Sequence, residues 1–128
     1  MSAPRTGGAE LRRAAERGGR SAETLCVLWL MLRGWRVLAR RSRHPVGEID
    51  IVAARGRTVA FIEVKAWRDV AAAAESIAPR QQERIARAAE AFLQRHPHFA
   101  GHHQRFDVML VAPWRLPVHI PNAWHILA

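Results

Sequence analysis

Two acids and one amine in this sequence are spaced in a way that suits phosphate chemistry. Asp50 lies in Gly47-Glu48-Ile49-Asp50-Ile51-Val52, and Glu63 and Lys65 lie in Phe61-Ile62-Glu63-Val64-Lys65. The surrounding pattern predicts strands over Glu48–Ala53 and Thr58–Lys65, joined at Arg55-Gly56-Arg57. Glycine as the first of two central residues signals a type II′ hairpin turn. With Gly56-Arg57 as those two, Arg55 pairs with Thr58. Counting back along both strands sets Asp50 opposite Glu63, with β-carbons about 4.5–5.5 Å apart. Alternation puts Glu63 and Lys65 on one face. Facing carboxylates repel, and a divalent cation bound by their hard oxygens would offset that. The alternative is a solvated strand face with an Asp50–Lys65 ion pair, which is common and worth little. Spacing alone leaves the two level.

Lys65 stands out in the composition. Of 20 basic residues among 128, 19 are Arg and only this one is Lys. A guanidinium replaces an ammonium at most surface positions, but not where a tight site needs a compact point charge. Against 11 acidic residues the formal charge is +9, spread as +6 over residues 1–64 and +3 over residues 65–128. Such an excess favours polyanions, nucleic acid foremost, through release of counterions. An Arg-rich composition bias accounts for the charge alone equally well. No apolar run approaches the roughly 18 residues of a membrane span. The N-terminus lacks a signal-peptide core, and the lone Cys26 cannot form an internal disulfide, so a cytoplasmic protein without membrane contact is expected.

The elements that must position these groups follow from periodicity. Residues 1–8 are expected to fray, and 9–128 to form one domain. A helix is expected over Ala9–Arg33, with Ala22, Leu25, Cys26, Trp29 and Leu32 as its apolar stripe and Gly34 as its stop. Trp35–Arg41 is a short strand and Ser42–Gly47 a turn. A second helical region spans Ala71–Arg95, its main helix opened by Pro79. Its apolar stripe is Ile85, Ala88, Ala89, Phe92 and Leu93, with Arg80, Glu83, Arg84 and Arg87 on other faces. Arg105–Val111 is a long strand and Val118–Ile120 a short one, before a turn at Asn122-Ala123-Trp124. Helix, three strands, helix, one or two strands makes an α/β sheet with helices packed on it.

Gly47-Glu48-Ile49-Asp50 followed by Val64-Lys65 after Glu63 resembles the GEID…VEVK signature of the YraN-type family of uncharacterised bacterial proteins. That family is placed in the PD-(D/E)xK, restriction-endonuclease-like superfamily. The likeness extends to Gly19, Ala22-Glu23, Gly34-Trp35, Ile85, Ala89, Arg105-Phe106-Asp107-Val108 and Asn122-Ala123-Trp124, covering roughly residues 19–124. It implies a mixed sheet of four to five strands flanked by two main helices. It further implies an endonuclease that hydrolyses phosphodiester bonds in DNA, branched or structured DNA as in Holliday-junction resolvases. Asp50 and Glu63, with the Val64 carbonyl, would ligate Mg²⁺ or Mn²⁺; Lys65 would orient and activate water; Glu23 matches an acid facing the site from the first helix. Arg80, Gln81, Arg43, His44 and Arg68 are the implied nucleic-acid contacts. The resemblance departs in two places. Trp67-Arg68 follows the motif where a basic residue often comes sooner, and Arg80 stands where a Lys is usual. Junction-cutting relatives are two-fold dimers, so a homodimer is expected by analogy. From a different class comes the alternative, a non-catalytic nucleic-acid-binding module accessory to a repair or recombination complex.

Other residues could also do chemistry. His96, His98, His102 and His103 invite a zinc reading, but the loop offers no Cys, and solvated histidines, which could touch phosphate, are favoured. Asp107 reads either as a support for an Arg or a metal ligand, or as an edge-strand residue paired with Arg105. Most of the five Trp residues fall where core is expected. Trp67 could stack on a base, with core packing an equal alternative. Ser42, Arg43 and His44, ahead of the Asp50 strand, could touch backbone phosphates, although an ordinary basic turn is slightly favoured.

Overall fold

The computed structural model describes residues 21–45, 47–66 and 77–124. The expected tail, the start of the first helix, Trp67, Arg68 and residues 71–76 lie outside them. Helix α1 occupies residues 21–32, and three strands follow: β1 (Arg36–His44), β2 (Gly47–Arg55) and β3 (Thr58–Ala66). Then come α2 (Pro79–Arg95), a 3₁₀ turn at Pro97–Phe99, β4 (His103–Val111) and β5 (Val118–Ile120). The sheet order is β1-β2-β3-β4-β5. All neighbours are antiparallel except β3 and β4, which run parallel because α2 carries the chain across between them. The result is the expected mixed α/β sheet between two helices.

Each helix covers one face. Ile85, Ala88, Ala89, Phe92 and Leu93 of α2 pack with Val52, Val59, Phe61 and Leu110. Cys26, Val27 and Leu30 of α1 pack with Ile51, Ala53, Ala60 and Ile62 on the other side. Fully burying the Val, Leu, Ile and Phe side chains among them stabilises by roughly 1.5–3 kcal/mol each. Helix α2 buries the stripe its sequence predicts. Helix α1 does not: Leu25 and Leu32 are exposed, and the buried positions are Glu23, Cys26, Val27 and Leu30. Residues 25–32 are apolar all round, so composition could not choose a face there. Trp114, likewise, is fully exposed and outside the core.

The stops behave as expected. Gly34 has φ 87°, Trp35 N–H donates to Leu30 O (3.0 Å) and Gly34 N–H to Met31 O (3.1 Å), which is the Schellman closure. Pro79 opens α2, with no side-chain cap before it. Strand boundaries move by a residue or more. Residues 42–44, expected in a turn, continue β1 because they pair with residues 47–49, and β4 starts at His103 because it aligns with Thr58 on β3.

Candidate active site at the end of the β2–β3 hairpin

The hairpin has the register its turn requires. Gly56 has φ 58° and Arg57 does not share the positive φ, as a type II′ turn demands. Pairing then runs from Arg55↔Thr58 to Ile51↔Ile62. Regular pairing stops there, one step before Asp50 and Glu63. The cause is a kink. Ile49 packs in the same core as Val52, while Ile51 and Ala53 pack in the opposite one, so side-chain alternation slips at Asp50. On β1 the pairs Arg40↔Ile51 and Ser42↔Ile49 flank a matching gap at Arg41, whose φ is 49°. That left-handed geometry costs a non-glycine residue about 1–2 kcal/mol. With the ladder interrupted, the Asp50 carboxylate takes the place of a strand partner. Its Oδ2 accepts the Val64 N–H at 2.9 Å.

The kink also aims β1 side chains at α1. Arg41 Nε donates to both carboxylate oxygens of Glu23 (3.2 and 3.1 Å), and Arg40 donates to Thr24 Oγ1 (2.9 Å). Glu23 is only 8% exposed, and this pairing is what makes its burial tolerable.

Glu63 is 9% exposed. Burial, then the Asp50 charge and a hydrogen bond between the two carboxyl groups, push its carboxyl up to about 8, while Lys65 pulls the other way. At neutral pH without a cation, Glu63 therefore keeps a proton and shares it with Asp50. Burial, followed by the charges of Glu23 and Asp50, pushes the Cys26 thiol beneath them up to about 12. That thiol is inert as a nucleophile.

The carboxylate pair separates two cavities. On the α2 side, about 500 Å³ is lined by Glu48, Asp50, Glu63, Arg80, Gln81 and Arg84, among others. On the α1 side, about 460 Å³ is lined by Glu23, Asp50, Glu63, Val64 and Lys65, among others. Gly47 lets α2 come this close, since a β-carbon there would stand 2.9 Å from the Arg84 carbonyl oxygen. One end of the hairpin thus has acids and an amine towards α1 and guanidinium groups towards α2. Among the described residues, no three His, Cys, Asp or Glu side chains are gathered as a ready ligand set. Two carboxylates and a backbone carbonyl fit a hard cation that keeps several waters, as Mg²⁺ does.

Of the implied nucleic-acid contacts, Arg80 and Gln81 line the α2-side cavity. Arg43 and His44 line neither cavity. Arg43 is exposed and pairs with Glu48 (3.5 Å), and His44 bonds to Ser42 Oγ (2.8 Å). Burial, then Arg95 and His96 at the far end of α2, hold the His44 imidazole below its usual range. Arg68 lies outside the described residues. Arg84, set on an outer helix face by its sequence, joins Arg80 one turn away; their i, i+4 spacing was the available signal. No local pattern marks Arg41.

Asp107 is fully buried and belongs to neither the pair nor an edge, since β5 covers β4. It accepts two hydrogen bonds from Arg105 (2.9 Å each), one from Asn122 N–H (2.9 Å), and bonds to His119 Nε2 (2.6 Å). The loop histidines make ring contacts. His96 stacks on Phe92 at 4.1 Å, and His98 and His102 both meet Phe99 edge-on.

Among the described residues no helix is long and apolar enough to cross a membrane. A model of the uncharacterised protein family UPF0102 matches residues 22–111, which takes in α1 and both strands of the hairpin. A UPF0102 protein of Parvibaculum lavamentivorans is 55% identical over 111 residues, covering 87% of this chain and 84% of the relative. One from Paramagnetospirillum magneticum is 51% identical over 117 residues, 88% of this chain and 91% of its own. A third, from Rhodopseudomonas palustris, is 52% identical over 121 residues, 94% and 92% of the two chains. The chain belongs to the uncharacterised protein family UPF0102, the YraN-type family that its motifs resemble.

Proposed function

We propose that this protein is a metal-dependent endonuclease that hydrolyses phosphodiester bonds in DNA, with branched or structured DNA as its substrate. The observation that carries the reading is the meeting of Asp50, Glu63 and Lys65 at an interrupted ladder, between two open cavities. Asp50 and Glu63, with the Val64 carbonyl, would hold Mg²⁺ or Mn²⁺. Such an ion would supply Lewis-acid polarisation of a phosphoryl oxygen and a more acidic water. Lys65 orients the attacking water and carries positive charge beside the scissile phosphate. Arg80 and Arg84 bind phosphate oxygens from the α2 side, and Gln81 donates its amide. Glu23, fixed by Arg41, bounds the site from α1.

The test is incubation of the purified protein with flap, junction, single-stranded and duplex DNA in Mg²⁺ or Mn²⁺. Cleavage that disappears in Asp50→Ala and Lys65→Ala supports the reading. No cleavage of any substrate, or cleavage undiminished in those variants, overturns it.

The guanidinium groups of Arg80 and Arg84 beside the pair favour a second reading, a non-catalytic nucleic-acid-binding module. That module would bind DNA with a steep salt dependence and no metal-dependent turnover. Mn²⁺ binding that is lost in Glu63→Gln, measured by calorimetry, separates the enzyme from the module. A two-fold dimer belongs to the endonuclease reading. It is supported by the exposed α1 residues Leu25, Leu28 and Leu32, and sedimentation tests it.

A further inference from the structure

At the C-terminal end of α1 lies a third cavity, of about 450 Å³, built from other residues. Trp29 reaches it from α1, Arg33 and Trp35 from the turn that follows, Arg55 from the end of β2, Arg105 from β4 and His119 from β5. The guanidinium groups stack on the indoles. Arg33 lies 4.5 Å from the Trp29 ring centre, and Arg55 and Arg105 lie 4.6 and 5.3 Å from that of Trp35. Stacking fixes their planes and leaves N–H edges for an acceptor.

The charges are unequally spent. Asp107 neutralises Arg105 through two hydrogen bonds. Among the described residues neither Arg33 nor Arg55 faces a carboxylate, and Arg55 spends one donor on Arg33 O (3.2 Å). Two uncompensated, planar, oriented cations thus border one cavity. A phosphate matches the fork of each, and a base can lie on a guanidinium plane.

We propose that this cavity binds a phosphate and its base in single-stranded nucleic acid, as an anchor apart from the Asp50–Glu63 pair. Taking the phosphate from a nucleic acid rests on the endonuclease reading; the anion chemistry does not. Position agrees. Arg55 is five residues along β2 from Asp50, roughly 16 Å at about 3.3 Å per residue. Arg33, just past the end of α1, is ten residues from Glu23, roughly 15 Å at about 1.5 Å per residue. A strand that keeps the duplex rise of about 3.4 Å covers such a span in about five nucleotides, and an extended single strand covers it in fewer.

The experiment is fluorescence anisotropy of a labelled short single strand in EDTA, across a salt series, with wild type, Arg33→Ala and Arg55→Lys. Thermal midpoints check that both variants fold. Arg33→Ala should bind about ten-fold more weakly, with a salt slope shallower by about one. Arg55→Lys keeps a charge but loses the plane, so it should weaken binding several-fold at an unchanged slope. Wild-type affinity and slope in both variants would overturn the proposal. Adenosine monophosphate and inorganic phosphate serve as competitors. Displacement of the strand by the nucleotide ahead of phosphate supports a joint base and phosphate site. If the free nucleotide binds while the variants hold the strand as wild type does, the cavity serves free nucleotides, and the strand anchor is wrong. The two readings fail separately. Weakened strand binding in Arg33→Ala, in a protein that cuts nothing, keeps the anchor and removes the endonuclease. Metal-dependent cutting with an unchanged KM and unchanged strand affinity in Arg33→Ala does the reverse.

Discussion

Replacing Glu63 by Gln should stabilise the metal-free protein at alkaline pH and flatten its pH dependence. Glu63 titrates near 4.5 when unfolded and at about 8 when folded, chiefly through burial and then through Asp50. Below about 4.5 the carboxyl is neutral in both states and costs nothing. Between those values the native state holds a proton that the unfolded chain has released, so stability falls as pH rises. Each pH unit in that window is worth about 1.36 kcal/mol, giving roughly 3 kcal/mol at pH 7 and an upper bound of about 5 kcal/mol above pH 8. The glutamine side chain cannot ionise, and its amide can donate to Asp50 as the protonated acid does. His44 acts in the opposite sense, since its lowered pKa makes stability fall as pH drops through about 6.5. It is common to both proteins and cancels in the difference. Urea denaturation in EDTA between about pH 5 and 9 measures that difference. The variant should match wild type near pH 5 and exceed it by a few kcal/mol at pH 8. Parallel curves would refute the account of a buried, proton-sharing pair.

Three further outcomes follow from the packing. Gly47→Ala places a β-carbon against the Arg84 carbonyl, so α2 must shift, at a cost of about 1–3 kcal/mol visible as a lowered Tm. An unchanged Tm would mean the helix is not held against β2. Asp107→Asn leaves Arg105 without its carboxylate and should cost about 3 kcal/mol in denaturant titration. Burial works to raise the Asp107 pKa, but hydrogen bonds from His119, Arg105 and Asn122 hold it low. Its stabilisation is therefore present above about 3.8 and lost as pH falls through the lower folded value. A variant as stable as wild type at neutral pH would contradict this. Arg84→Ala, tested on whichever DNA is cut, should raise KM several-fold without changing Tm; an unchanged KM would remove Arg84 from substrate binding.

Local signals in the sequence accounted for what is local in the structure. Gly56 set the turn, the turn set the register, and the register brought Asp50 towards Glu63. Gly34 and Pro79 each ended or began a helix as their backbone chemistry requires. What escaped prediction depends on contacts distant in sequence. Residues 25–32 are apolar all round and carry no period of their own, so the buried face of α1 follows from distant contacts, with Glu23 meeting Arg41, 18 residues away. The stop in pairing at Asp50 goes with a break in side-chain alternation along β2 and a left-handed Arg41 on β1, with nothing in β2 to announce it. The bonds around Asp107 draw on β4, β5 and the turn at Asn122, and the Arg–Trp cavity draws on five separate segments. Periodicity reports none of these.

The most direct test of the central claim is anomalous scattering from crystals soaked in Mn²⁺. One peak bonded to carboxylate oxygens of both Asp50 and Glu63, and absent from crystals of Glu63→Gln, is the predicted result. Manganese bound elsewhere, or no peak at an ion concentration that supports DNA cleavage, would contradict it.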